Sequence, residues 1–174
     1  MLTGTSMMHL ITPAQAGELD RATQAADLWQ GFAEWKIVRS DDFGVWQPRS
    51  TTGLVIHDTL SARIHPRDAC AALVAALRAK GVHVQPDAPD RGRVVWATGV
   101  SGLAAVSATH ARAVGNGVKG QAALLRYDAR NEPQLFVDTL HFFPHSDGTV
   151  AIGSTSESHY DDETSTDAQL DELV

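Results

Sequence analysis

At Gly120 the chain changes its order of elements, and that change limits the folds open to it. Upstream, the patterning alternates strand, helix and strand; downstream, strands follow one another with no helix between them. Parallel strands need a crossover of a dozen or more residues, usually a helix, whereas antiparallel strands need only a short turn. The upstream helix is "HPRDACAALVAALRAKG". Pro66 opens it, Asp68 lies in its first turn, Cys70, Leu73, Val74 and Leu77 form an apolar stripe, Arg78 and Lys80 suit its carboxyl end, and Gly81 stops it. "VHVQ" then reads as a strand, "PDAPDRG" as a loop and "RVVWATG" as a buried strand, an order that suggests a parallel layer. Cys70, on the stripe, reads as core. Downstream, "QAALLRYD", "QLFVDTLHFFP" and "TVAIGSTSE" are strands separated by "ARNEP" and "HSDG", with Asp147-Gly148 as a hairpin signal. The expected class is α/β with an α+β part.

Nearer the start, Thr12 as N-cap, Pro13 and Gln15 precede a stripe of Leu19, Ala22, Ala26, Trp29 and Ala33, which predicts a helix over 13–35. "GVWQP" and "GLVIHD" follow as short strands around "PRSTTG". At the other end, Thr166 with Gln169 forms a capping box before Leu170, Leu173 and Val174. That helix begins properly but has no cap or basic last turn, so the sequence reads as cut within a longer chain.

Charge narrows the partners. The net charge is −7, and residues 1–130 hold all 14 Lys and Arg against 11 acids, while residues 131–174 hold 10 acids and no Lys or Arg. An acidic stretch of that kind repels nucleic acid and anionic lipid. No apolar run approaches the roughly 20 residues of a membrane span. The start, "MLTGTSMMHLITPAQ", lacks the charged segment and apolar block of a signal peptide. One cysteine permits no internal disulfide, which agrees with a cytoplasmic protein.

Gly115, Gly117 and Gly120 spell G-x-G-x-x-G, but the helical "SATHARAV" precedes them and a strand follows. A dinucleotide fingerprint requires the reverse order, so the match is incidental. His141 and His145 flank "FFP", where Pro144 forbids the helix that would bring them onto one metal. A hydrolase has no support, since no G-x-S-x-G elbow occurs. "VVWATGVSG" ends a strand in small residues, so backbone can approach a ligand there; a plain strand-to-helix turn reads equally well.

Four stretches taken in order resemble the FAD-dependent amino-acid and amine oxidoreductases, the family of glycine oxidase and D-amino acid oxidase. "IHPRDACAALVAALRAKGVHV" is similar to the Pro-led helix and strand of the flavin domain, and "RVVWATGVSGL" to its A-x-G turn near the flavin. "VKGQAALL" resembles the (R/K)GQ turn into the substrate domain, with Gly120 as its glycine. "LHFFPHSDGTVAIGSTSE" through "STDAQLDELV" is similar to the Pro–Asp-Gly hairpin, the G-[AS]-T strand and the next helix. The likeness covers roughly residues 60–174 and implies a partial FAD/NAD(P)-binding α/β layer joined to a mostly antiparallel substrate-domain sheet.

The resemblance implies three parts: 1–62 on the substrate-domain side, 63–114 in the flavin domain, and 115–174 as substrate sheet and following helix. It implies FAD as cofactor, with Val84, Ala97, Thr98 and Gly99 near it, and hydride transfer from the carbon bearing the amine of an amino acid or secondary amine. His141, three residues before Pro144, and Ser156, after "GST", would face that substrate; no catalytic residue and no metal ligand is implied. A two-residue Asp147-Gly148 turn would set Ser146 opposite Thr149 and bring His141 and Ser156 onto one sheet face. The chain departs from the pattern in three places. The family's glycine fingerprint would lie before residue 12, its substrate-carboxylate arginine segment beyond Val174, and the loop before "RVVW" is short. The expectation is an internal piece of a longer enzyme, inactive alone, weak or incapable in binding FAD by itself, and compatible with a homo-oligomer. The alternative is a binding or scaffold module without flavin.

Overall fold

The computed structural model describes residues 7–10 and 17–173. Its elements in chain order are β1 (Met7–Leu10), α1 (Gly17–Trp29), β2 (Trp35–Arg39), a 3-10 turn (Ser40–Phe43), β3 (Leu54–Asp58), α2 (Pro66–Ala79), α3 (Gly99–His110), β4 (Ala122–Arg126), β5 (Gln134–Val137), β6 (Leu140–Pro144), β7 (Thr149–Gly153) and α4 (Ala168–Leu173). The strands form one seven-stranded sheet in the order β2-β3-β1-β5-β6-β7-β4. Among the described residues only β1 and β5 run parallel; every other pair is antiparallel. The chain is thus mixed α/β with a mostly antiparallel sheet, the class its patterning predicts.

One face of the sheet carries the apolar core. Val55 and Leu135 are buried with Val38, Trp46, Val137 and Phe142 against them, and Ala129, Val150 and Ile152 continue that core toward Leu173 of α4. Trp46 touches both clusters, stacks on Tyr127 at 5.9 Å and donates Nε1–H to the Pro133 carbonyl at 2.9 Å. Each such buried side chain stabilises the fold by about 1.5–3 kcal/mol relative to exposure.

Local chemistry explains the points at which elements stop. Helix α1 ends at Trp29 rather than 35, because Gln30 and Gly31 take φ of 47° and 81° and Trp35 already belongs to β2. The start expected at 13–16 lies outside the described residues. "GVWQP" forms no strand. "QLFVDTLHFFP" is two strands, not one: Asp138 and Thr139, with φ of 47° and 77°, close a two-residue hairpin with Val137 opposite Leu140. Helix α2 keeps its expected bounds, with Pro66 in its first turn and Gly81, at φ 76°, just past its end. At α4, Asp167 caps instead of Thr166, its Oδ1 accepting from the Gln169 N–H at 2.9 Å.

The segment from 63 to 114 departs most from its local patterning. "VHVQ" and "RVVWATG" form no strands, and no residue between 63 and 114 is buried. Strands persist only when their backbone groups find partners, and no neighbouring strand pairs with either among the described residues. Cys70 is exposed, correcting its assignment to the core. Leu73 (65% exposed) and Leu77 (41%) likewise leave the stripe of α2 open.

Candidate functional site

His141 lies at the centre of a row that crosses three hairpin-linked strands. On β5 it faces Phe136 and on β7 it faces Gly153, which in turn faces Ala122 of β4. Phe143, two residues along β6, shares its face and lies opposite Ala151. The imidazole stacks on the Phe143 ring at 5.2 Å with 13° between planes, and tilts by 34° against Phe136 at 4.5 Å. On its β7 side the row has only small residues. A Cβ on Gly153 would lie 2.7 Å from the Ala122 Cβ, so glycine is what lets these two strands approach.

The electrostatics of His141 follow from that setting. Burial pushes its pKa below the ordinary histidine value, so the ring is neutral near pH 7. Its Nδ1 is buried and has no hydrogen-bond partner among the described residues. An unpartnered lone pair is less costly than an unpartnered N–H, which puts the proton on Nε2 and makes that edge of the ring a donor.

The hairpin register differs from the expected one. His145 N–H donates to the Thr149 carbonyl at 2.7 Å and Gly148 N–H to the His145 carbonyl at 3.2 Å, with Gly148 at φ 84°. The loop therefore holds three residues, Ser146 to Gly148, and Pro144 faces Val150. A shift of one residue moves every side chain to the other face, so His141 faces Gly153 and not Ser154. Ser156 lies beyond the end of β7 and is exposed, and its sharing a face with His141 no longer follows from the register.

Beside Ser156 lies a polar network that neither charge nor periodicity in the sequence reveals. Lys119 and Glu157 exchange backbone hydrogen bonds at 2.9 and 2.8 Å. The Gln121 amide nitrogen donates to Glu157 Oε1 at 2.8 Å and Asp167 Oδ1 at 2.9 Å, and Gln121 Oε1 accepts from Asp167 N–H at 2.9 Å. Thr155 Oγ1 donates to Glu157 Oε1 at 2.6 Å, and Lys119 Nζ lies 3.7 Å from Glu157 Oε2 and 3.9 Å from Asp167 Oδ2. Hydrogen bonds from Thr155 and Gln121, then the Lys119 charge, hold Glu157 below the usual carboxylate range; Gln121 chiefly does the same for Asp167. A Cβ on Gly120 would press on the Thr155 carbonyl at 3.2 Å. The K-G-Q turn and the G-S-T-S-E strand end thus recognise each other, and their joint presence in the sequence is the signal that could have found the network.

Of the residues read as cofactor contacts, Ala97, Thr98 and Gly99 lie at the start of α3, and Val84 lies in the segment after α2. Ala97, Thr98, Gly99 and Val84 are all exposed. Thr98 is the N-cap of α3 without a capping side-chain bond, and Gly99 takes φ of 63°. The first N–H groups of α3 therefore have no side-chain acceptor from the cap residue, although the Thr98 side chain folds back over Gly102 in the first turn. Backbone donors flanked by Ala and Gly are of a kind that suits the polar oxygens of a flavin nucleotide; Val84 is an exposed apolar residue. Helix α3 is seated against the loop leading to β4: Gly117 leaves room for Val100 and the Tyr160 hydroxyl, and Asn116 Nδ2 donates to the Ser158 carbonyl at 3.3 Å. The structure brings His141, Phe136 and Phe143 together, and Ala97, Thr98 and Gly99 together. Among the described residues no group of three or more His, Cys, Asp or Glu side chains could hold a metal ion, and no helix is long and apolar enough to cross a membrane.

No protein-family model and no curated protein matches the sequence. The fold is similar to the crystal structure of glycine oxidase from Bacillus cereus ATCC 14579, with a TM-score of 0.62 and 16% identity over 91% of this chain. The chain spans 50% of the length of that oxidase. The likeness establishes a shared fold: a mixed α/β arrangement corresponding to part of a glycine-oxidase-like structure.

Proposed function

We propose that this chain forms part of a FAD-dependent oxidoreductase that oxidises the C–N bond of an amino acid or secondary amine. One observation carries the reading: sheet and helices together follow glycine oxidase over 91% of the chain. In this reading the backbone of Ala97, Thr98 and Gly99 holds the cofactor and Val84 packs against it. When bound, FAD supplies the hydride acceptor.

The substrate side is the row around His141. As a neutral imidazole it donates Nε2–H to the substrate, while Phe136 and Phe143 hold the ring in place. The resemblance alone adds Ser156, exposed just past β7, as a hydroxyl toward the substrate. In this reading the exposed Val82, Val94, Val95 and Trp96 are covered by the remainder of the cofactor domain, which would account for segments of such composition standing without strand partners.

The test is made on the full-length protein. Flavin released on denaturation is identified and quantified, and anaerobic mixing with a panel of amino acids and secondary amines is followed by the visible absorbance of the oxidised cofactor. Stoichiometric FAD bleached by one substrate class is the expected result. A protein that takes up no FAD on reconstitution would be a binding or scaffold module on the same fold.

A further inference from the structure

The junction between the sheet and α2 combines an arginine clamp with a pair of histidine rings. Arg63 donates from Nη1 to the Glu132 carbonyl at 2.8 Å and from Nη2 to the Arg130 carbonyl at 2.6 Å, clamping the approach to α2 onto the turn before β5. Two residues on, His65 caps α2. Its Nδ1 accepts from the Asp68 N–H at 3.4 Å and lies 3.5 Å from Asp68 Oδ2. The His145 ring, at the tip of the β6–β7 hairpin, meets the His65 ring edge to face, with centroids 5.0 Å apart.

The tautomers follow from the bonds. Thr149 Oγ1 donates its one proton to Asp147 Oδ1 at 2.7 Å. His145 Nδ1, 3.1 Å from the same hydroxyl oxygen, must therefore be the donor in that pair. His65 uses Nδ1 as a lone pair and His145 uses Nδ1 as an N–H. Neutral, both bonds hold together.

We propose that the His65–His145 contact is a proton-operated latch between the start of α2 and the tip of the β6–β7 hairpin, closed when both rings are neutral and open when both are charged. Protonation of His65 places a hydrogen on Nδ1, which can no longer accept from the Asp68 N–H and turns instead to the Asp68 carboxylate. Protonation of His145 occurs on Nε2 and leaves its Thr149 bond intact, but sets two cationic rings against each other beside the Arg63 guanidinium. The facing charges are Arg63 on the approach, Asp68 on α2, Asp147 in the hairpin loop, and the Asp128–Arg130 pair, whose guanidinium lies over Gly148. Burial first, then His65 and Arg63, hold the His145 pKa below its ordinary value against the pull of Asp147. No residue of α2 is buried, so its start is held at this junction by few contacts, the Arg63 bonds and the ring pair among them.

Hydrogen exchange of the intact protein tests this at about pH 7 and about pH 5, rates being corrected for intrinsic exchange, with His65→Asn and His145→Gln compared. The asparagine side chain in His65→Asn would keep a capping acceptor, and neither replacement titrates. In wild type the Asp68, Ala69 and Gly148 amides should lose protection by about tenfold or more on acidification, tenfold being one unit of titration. In each variant that circular dichroism finds folded, the loss should be at least several-fold smaller. Unchanged wild-type protection, or an equal loss in a folded variant, would overturn the proposal. If neither variant folds, ring-proton NMR titration of wild type decides: two coupled steps support the latch, and two independent ones exclude it.

Discussion

Gln121 donates its side-chain amide to Glu157 Oε1 at 2.8 Å, with both residues buried. This bond ties the residue before β4 to the segment leaving β7, and the same nitrogen reaches Asp167 at the head of α4. Sheet edge and terminal helix thus share one polar hub. Such a hub specifies geometry only when fully satisfied.

Replacing Gln121 with Leu keeps the volume and removes the hub. Asp167 N–H loses its acceptor and Glu157 keeps only Thr155 as a side-chain donor. The expected loss is about 1–3 kcal/mol. Urea unfolding should read it as a lower midpoint at unchanged slope.

Gly153→Ala tests the close approach of β7 and β4. The new methyl would lie 2.7 Å from Ala122 Cβ and 3.1 Å from Ala122 Cα. Overpacking of this kind costs about 1–3 kcal/mol. Combining it with Ala122→Gly relieves the shorter contact, so the double variant should recover part of the loss in the same unfolding measurement.

Elements whose signals are local were legible in the sequence. Helix α2 announces itself by Pro66 and Gly81, and β4 and β7 by apolar runs beside turns. The Asp138-Thr139 turn was not, because neither residue is the glycine that such a hairpin usually demands; pairing along β5 and β6 outweighs the strain. The three-residue hairpin loop escaped for a related reason. Asp147-Gly148 fits both a two-residue turn and a type I turn with Gly148 left-handed, and the choice rests on the His145–Thr149 bonds. Strand character at 82–85 and 93–99 was legible as composition, but a strand exists only with its neighbour. On the proposed substrate side, His141 was named from its place three residues before Pro144, as the resemblance implies. Its flanking rings Phe136 and Phe143 required the register of β5 on β6, which no local pattern supplies.

Stability should decline as pH falls from 7 toward 5. His57, His141 and His145 all have pKa values lowered chiefly by burial. For a histidine depressed in the fold, the stabilisation is present above the unfolded value near 6.5 and is lost as pH falls from there toward the folded value. Asp128, Asp147, Glu157, Asp162 and Asp167 are lowered by hydrogen bonds, so their contribution is lost only below the ordinary carboxylate range of about 4. Unfolding free energies followed from about pH 7 to about pH 2 should therefore fall in two stages, and His141→Phe should flatten the first.

Two tryptophans should respond very unequally to the same change. Trp46 joins both core clusters and bonds the Pro133 carbonyl, so Trp46→Ser should cost about 3 kcal/mol. Trp96 is 72% exposed, and Trp96→Ser should shift the unfolding free energy by less than about 0.5 kcal/mol. If the face around Trp96 is covered by the remainder of a cofactor domain, Trp96→Ser should instead weaken FAD retention in the full-length protein. Denaturant titration and flavin content separate the two effects.

His141→Ala in the full-length protein tests the substrate side, with flavin content checked first. Loss of a hydrogen bond to substrate should lower kcat/KM by about tenfold or more. Loss of packing alone would act differently, because the ring lies between Phe136 and Phe143 and its removal lets both shift. His141→Phe separates the two: it preserves the stacked rings and removes the Nε2 donor. The expected result is a fall in kcat/KM for both variants with stability retained in the Phe variant, and with the pH profile of kcat/KM losing any inflection that belongs to a histidine below its ordinary pKa. Unchanged kcat/KM in His141→Phe, measured on the substrate that bleaches the flavin fastest, would remove the hydrogen bond from the account and leave His141 as a filler of the aromatic row.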